Sequence, residues 1–248
     1  MVELREFYHN PAGRTARRLL CARVAALWPH VAGERILVLG YGPPMLRPWL
    51  GQAHSVHAFM PAGQGVAYWP REGPNISCLV DPTDLPLPDA SIDRVVLLHA
   101  LEAMPDPAPM LREIWRVLKS GGRLLTVAPN RRGFWAHNDR TPFGNGQPYS
   151  PRQARSLLHG QGFLIERLAF ALYAPPGAAR FGFSFVDRVE KIAARLFSGF
   201  GGVLLIEAGK QLYAPRVEKK ALRHRLVLPL PLPAQGPVPA GRFMRNNR

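Results

Sequence analysis

The turn Gly40-Tyr41-Gly42 directly follows the apolar run Arg35-Ile-Leu-Val-Leu. Without side chains at either glycine, backbone can approach a bound ligand closely. The pattern alone is common to many strand-to-helix turns, so its weight comes from its place after the first buried strand. His137 and Asp139 are the types needed for a general base and the carboxylate that orients it, although such a pair in a loop more often serves local hydrogen bonding. They stand in the long segment Pro129–Tyr149, which mixes Phe134, Trp135, Phe143 and Tyr149 with Arg131, Arg132 and Arg140. That mixture suits stacking on bases or clamping a flat ring. Equally, the aromatics can simply pin the loop to the domain. His99 either reaches a pocket at the end of its strand or is a satisfied core histidine. Cys21 and Cys78 are far apart, form no metal-ligand or redox spacing, and read as buried thiols in a reducing cytoplasm.

The elements that must position these groups alternate between apolar strands and amphipathic helices, the signature of a parallel sheet covered on both faces. An opening helix over 12–28 places Ala16, Leu19, Leu20, Val24 and Leu27 on one side. Strands are predicted at Arg35–Gly40, Ser55–Met60, Asn75–Val80, Arg94–His99 and Arg123–Ala128. Pro61-Ala-Gly-Gln-Gly65 makes a poor helix, so the usual second helix is expected to be missing. A helix over 107–119 carries Met110, Leu111, Ile114, Val117 and Leu118, and Gly121-Gly122 stops it. Ser150 caps a helix from Pro151 to His159. Strands over 164–172 and 203–208 flank a helix over 184–198.

Two linked segments carry a family resemblance. One is Asp81-Pro-Thr-Asp-Leu-Pro-Leu-Pro-Asp-Ala-Ser-Ile-Asp93-Arg-Val-Val, the other Leu111-Arg-Glu-Ile-Trp-Arg-Val-Leu-Lys-Ser-Gly-Gly122-Arg-Leu-Leu-Thr-Val. Their order and spacing resemble the class I S-adenosylmethionine (SAM) methyltransferases of the type 11 group, over about residues 10–172. The resemblance implies an α/β, Rossmann-like, doubly wound sheet of seven mostly parallel strands with an antiparallel last strand. It also implies SAM bound where the strand order reverses, along Gly40, Tyr41, Gly42, Met60, Asp81 and His99. The acceptor would sit under a lid loop, 129–149, whose substrate-binding residues are Asn130, Arg131, Trp135, Phe143 and Tyr149. A sulfonium methyl is already activated, so alignment and water exclusion matter more than any one catalytic group. His137 and Asp139 are the weak catalytic candidates, and no metal is implied.

The chain departs from the family pattern at four places. Val38 stands where an acidic residue is usual, Pro44 where a third glycine is common, Phe59-Met60 where a ribose acceptor belongs, and Pro82 where a backbone N–H normally meets the adenine. Gln64 is a substitute acceptor for the ribose. Each absent hydrogen bond forfeits ~0.5–1.5 kcal/mol, so several together weaken cofactor binding roughly a hundredfold or more.

Net charge is +15, from 32 Lys and Arg against 17 Asp and Glu. Such an excess favours polyanions such as RNA, ribosomes or anionic membranes without choosing among them. Arg216, Lys219, Lys220, Arg223, Arg225, Arg242, Arg245 and Arg248 oppose only Glu218, and prolines cluster between 229 and 239. The organisation is therefore one domain, 1–215, and a basic Pro-rich tail, 216–248, that is extended or disordered. No apolar run reaches the ~18 residues of a membrane span, and a cytoplasmic location is expected. Two functions follow: a SAM-dependent methyltransferase of unidentified acceptor, or an inactive relative serving as an RNA- or ribosome-binding or scaffold module.

Overall fold

The computed structural model describes residues 4–70 and 72–210. The expected tail, 216–248, lies outside the described residues. Helices α1 (Leu4–His9) and α2 (Pro11–Leu27) open the chain. Asn10 caps α2 by accepting the Gly13 N–H at 2.8 Å, and Pro11 supplies a preset first turn. A side chain at Gly13 would collide with the backbone of Phe7 and Tyr8, so the α1–α2 corner requires glycine there.

Strands β1 (Arg35–Gly40), β2 (Ser55–Pro61), β3 (Ser77–Val80), β4 (Ile92–Leu98), β5 (Leu118–Pro129), β6 (Phe163–Ala171) and β7 (Val203–Lys210) form one sheet in the order β3-β2-β1-β4-β5-β7-β6. β1 through β5 pair in parallel, while β7 runs antiparallel to both β5 and β6. The predicted seven-stranded, doubly wound sheet with its antiparallel last strand is therefore present. Helices α3 (Pro43–Leu46), α4 (Ala108–Val117), α5 (Pro151–Gly160) and α6 (Phe183–Leu196) complete it.

Alternation along the strands sorts the core into two layers. Ile36, Val38, Val96, Leu98, Val127 and Leu205 face α1, α2 and α6. Leu37, Leu39, Val95, Leu97, Leu124 and Ile206 face α4 and α5. Glu207, fully buried in β7, accepts from Trp28 Nε1 and from Arg123, both at 2.9 Å, which ties the end of α2 across the sheet.

Three expectations need correction. An extra helix, α1, precedes the opening one. β5 starts at Leu118, immediately where α4 stops, so Gly121-Gly122 lies inside the strand, where a side chain at Gly122 would meet the Asp93 and Lys119 carbonyls. Cys78 is exposed, since β3 is an edge strand whose middle residues face solvent. As anticipated, a 3₁₀ turn, Ala62–Gln64, follows β2, and among the described residues no α-helix stands between β2 and β3.

Candidate functional site

The carboxyl ends of β1–β4 open into a cleft of about 2370 Å³, roofed by α1 and α2. Its volume exceeds the ~300–1,000 Å³ of a site for one small ligand, and it is open to solvent. Tyr41, Gln64, Asp81, Pro82, His99 and Glu102 line it, and Pro142, Asn145 and Gly146 bring the 129–149 loop to its edge.

Its centre is a buried polar chain. Tyr8 from α1 places its hydroxyl 2.7 Å from His99 Nε2, and His99 Nδ1 lies 3.0 Å from Glu102 Oε1. Burial, reinforced by the charge of Glu102, holds the Tyr8 phenol well above its ordinary pKa. The phenol therefore keeps its proton, and where it donates that O–H to Nε2 it leaves Nδ1–H to donate to Glu102. His99 has a positive φ of 56°, the left-handed region, so β4 ends in a sharp turn that aims the imidazole under α1. Tyr41 stacks on Tyr8 with centroids 5.7 Å apart, and Phe143 lies 4.7 Å from the imidazole. Two buried oxygens in this lining have no partner among the described residues, Gln64 Oε1 and Glu102 Oε2. The Gln64 amide itself donates to the His99 carbonyl, which fixes its direction. A buried acceptor left bare in a cleft wall is expected where a ligand's donors complete the site.

At the β3 end, Asp81 Oδ1 accepts the Thr83 hydroxyl at 2.7 Å and the Thr83 N–H at 2.8 Å. The hydroxyl first, then the N–H, lower the Asp81 pKa, so this exposed carboxyl is ionised at neutral pH.

Of the residues expected to hold a cofactor, Tyr41, Asp81 and His99 line the cleft, and Gly40, Gly42 and Met60 do not. Gly40 (φ 103°) is needed because a side chain there would strike the Leu98 carbonyl, and at Gly42 an added Cβ would sit 3.0 Å from Val38 Cγ1. Both glycines are thus demanded by packing against β4 and β1. Met60 is wholly buried, its side chain spent on the interior.

Of the loop residues expected to bind substrate, Asn130, Trp135, Phe143 and Tyr149 are buried. Asn130 is fully buried and donates to the Gly199 and Gly201 carbonyls at 2.9 and 2.7 Å. Trp135 donates to the Ala174 carbonyl at 2.8 Å, and Tyr149 to the Leu101 carbonyl at 3.3 Å. Trp135 and Phe143 meet edge to face, each also packed on Phe7. Arg131 is exposed and spans to the Pro148 carbonyl. Nor does the structure bring His137 and Asp139 into the cleft: His137 Nδ1 bonds the Gly133 carbonyl at 3.1 Å within its own turn, and Asp139 is exposed.

Tyr8 and Glu102 were missed from sequence. Leu4, Phe7 and Tyr8 fall at helical spacing ahead of Asn10-Pro11, though over too short a run to stand out, and His99-Ala-Leu-Glu102 has the i, i+3 spacing of one turn. Among the described residues no cluster suited to a metal ion occurs, and no helix is long and apolar enough to cross a membrane.

Residues 37–126 match the model of a methyltransferase domain. A probable SAM-dependent methyltransferase of Mycolicibacterium smegmatis is 39% identical over 88 residues, which is 34% of this chain and 33% of that protein. A similarly described protein of Mycobacterium tuberculosis is 36% identical over 112 residues, covering 42% of this chain and 39% of its own length. The chain thus spans between a third and two fifths of the length of these two relatives. Among solved structures, a SAM-dependent methyltransferase of Thermotoga maritima, described as a possible histamine N-methyltransferase, superposes with a TM-score of 0.59 at 18% identity, covering 84% of this chain and 94% of that one. Residues 37–126 match the methyltransferase-domain model, and the chain shares the fold of the solved SAM-dependent methyltransferases on which it superposes.

Proposed function

We propose that the protein transfers a methyl group from SAM to an acceptor seated in the cleft beneath α1 and α2. The observation that carries this reading is the pair of bare buried acceptors, Gln64 Oε1 and Glu102 Oε2, in the cleft at the strand ends. They fit the cofactor: Gln64 offers an acceptor to ribose hydroxyls in place of an acid at the end of β2, and Glu102 offers a negative charge to the ammonium in place of one at Val38. Asp81, with one oxygen outside its Thr83 bonds, serves the adenine amino group. Gly40 and Gly42 shape the turn, and Met60 supports it from within.

When bound, SAM supplies a methyl group activated toward any positioned nucleophile. The protein's own residues align the acceptor, exclude water and handle its proton. A proton leaving the acceptor's attacking atom passes through the Tyr8 hydroxyl to His99 Nε2, and Glu102 stabilises the resulting imidazolium. Asn130, Trp135, Phe143 and Tyr149 hold the loop that carries Pro142, Asn145 and Gly146 to the rim.

Isothermal titration of the full chain with SAM and S-adenosylhomocysteine tests this. Submillimolar binding, weakened ~5–10-fold in Gln64→Ala, is the expected result. Silence at millimolar ligand would instead support the second reading, an inactive scaffold or RNA- or ribosome-binding module, which Val38, Met60 and Pro82 favour. In that reading a cytoplasmic chain of domain 1–215 and basic tail 216–248 retains RNA in a salt-sensitive way, and loses it on truncation at 215.

A further inference from the structure

We propose that the surface formed by α6 and the 3₁₀ turn before it docks on an anionic phospholipid bilayer. α6 is fastened to the domain by one stripe only. Val186 is buried, and the Glu190 carboxylate accepts backbone N–H groups of Leu172 and Tyr173, both at 2.7 Å, and of Ala174 at 3.2 Å. These bonds fix the helix so that a second stripe, Phe185, Ile192 and Leu196, points outward at helical spacing. Phe181 adjoins that stripe, its ring 5.3 Å from Phe185, and Phe197 and Phe200 just past the helix are exposed as well, with Leu196 exposed to 69% and Phe181 to 58%. Six large apolar side chains left in water within one short segment call for a covering surface.

The charge on the segment selects the occupant. Arg180, Arg188, Lys191 and Arg195 are all exposed beside the apolar stripe. Of the two acids, Glu190 is buried in its backbone cradle and Asp187 is paired with Lys191 at 2.7 Å. A second copy of the chain would set cations against cations. A bilayer of anionic lipid instead supplies an apolar layer for the phenylalanines and phosphates for the arginines, the pairing by which amphipathic helices lie in a membrane surface. The surface also adjoins the cleft: Arg18, which lines it, stacks its guanidinium 5.2 Å over the ring of Phe183 at the start of α6.

The test is flotation of the full chain with vesicles of phosphatidylcholine alone and of phosphatidylcholine mixed with phosphatidylglycerol. Retention on the mixed vesicles is expected, and the triple variant Phe185→Ser, Ile192→Ser, Leu196→Ser reduces affinity ~tenfold or more. Arg188→Glu with Arg195→Glu costs roughly fivefold per charge, and added salt reproduces part of that loss. All five positions are exposed, so unchanged circular dichroism and melting certify the variants. Four results would overturn the proposal: no retention on either vesicle, retention unchanged in the triple variant but lost on removal of 216–248, retention gained only on that removal, or a dimer by light scattering that the triple variant dissociates. Because SAM titration reads the cleft alone, failure here leaves the proposed transfer reaction standing.

Discussion

The stretches His99–Glu102 and His137–Asp139 each hold an imidazole and a carboxylate within three residues, and the fold buries only the first of these two pairs. His137 and Asp139 sit in an exposed turn, where His137 spends its Nδ1 on the Gly133 carbonyl. His99 and Glu102 sit at the end of a central strand, both almost wholly buried, and a third group reaches them from α1, 91 residues away in sequence. The difference lies in what surrounds the pair. A solvated dyad competes with water and with its own backbone. A buried dyad must satisfy itself, and so is held in one geometry.

The sharpest way to break this comparison is to exchange the pairs in turn. His99→Ala and Glu102→Gln should lower turnover by ~10²–10⁴, whereas His137→Ala and Asp139→Asn should leave it within twofold; steady-state assays with tritiated SAM report both. Next in size is Trp135→Ala, predicted to cost ~3–5 kcal/mol of stability by urea unfolding. An effect below ~1 kcal/mol there would return the loop to the role of an adaptable substrate lid.

Smaller still is Tyr8→Phe, which removes one hydrogen bond at a cost of ~0.5–1.5 kcal/mol at neutral pH. Its pH dependence is more telling. The folded Tyr8 pKa lies above the unfolded value of about 10. The contribution is therefore fully present below pH ~10 and lost as pH rises, because the unfolded chain ionises this phenol first. Thermal melts of the wild type should fall across that alkaline range, and those of Tyr8→Phe should fall less. The smallest effects belong to the exposed pair, within about 0.5 kcal/mol for either substitution.

The contrast also explains what was legible in the sequence. Strands β1, β4 and β5 stand out because apolar runs buried on both faces leave no polar face to read, and the Leu-Pro and Gly-Gly stops around them fix the order. Helix α1 was overlooked although Leu4, Phe7 and Tyr8 repeat at helical spacing, because six residues are too few for periodicity to stand out. The aromatics of 129–149 could be read as a stacking platform or as pins, and composition alone does not separate these. The partner decides: Trp135 Nε1 bonds a carbonyl 39 residues downstream. Gly40 shows the same limit, its identity readable and its reason, the Leu98 carbonyl, visible only once β4 lies alongside.

The account rests on the buried histidine at the end of β4 standing in a cleft that admits a nucleoside. Nitrogen-15 NMR of the imidazoles during titration with S-adenosylhomocysteine addresses this directly. The expected spectrum shows His99 protonated at Nδ1 and shifting in a saturable manner while His137 stays fixed. Saturable movement of His137 with His99 unmoved, or no movement of either at millimolar ligand, would contradict it.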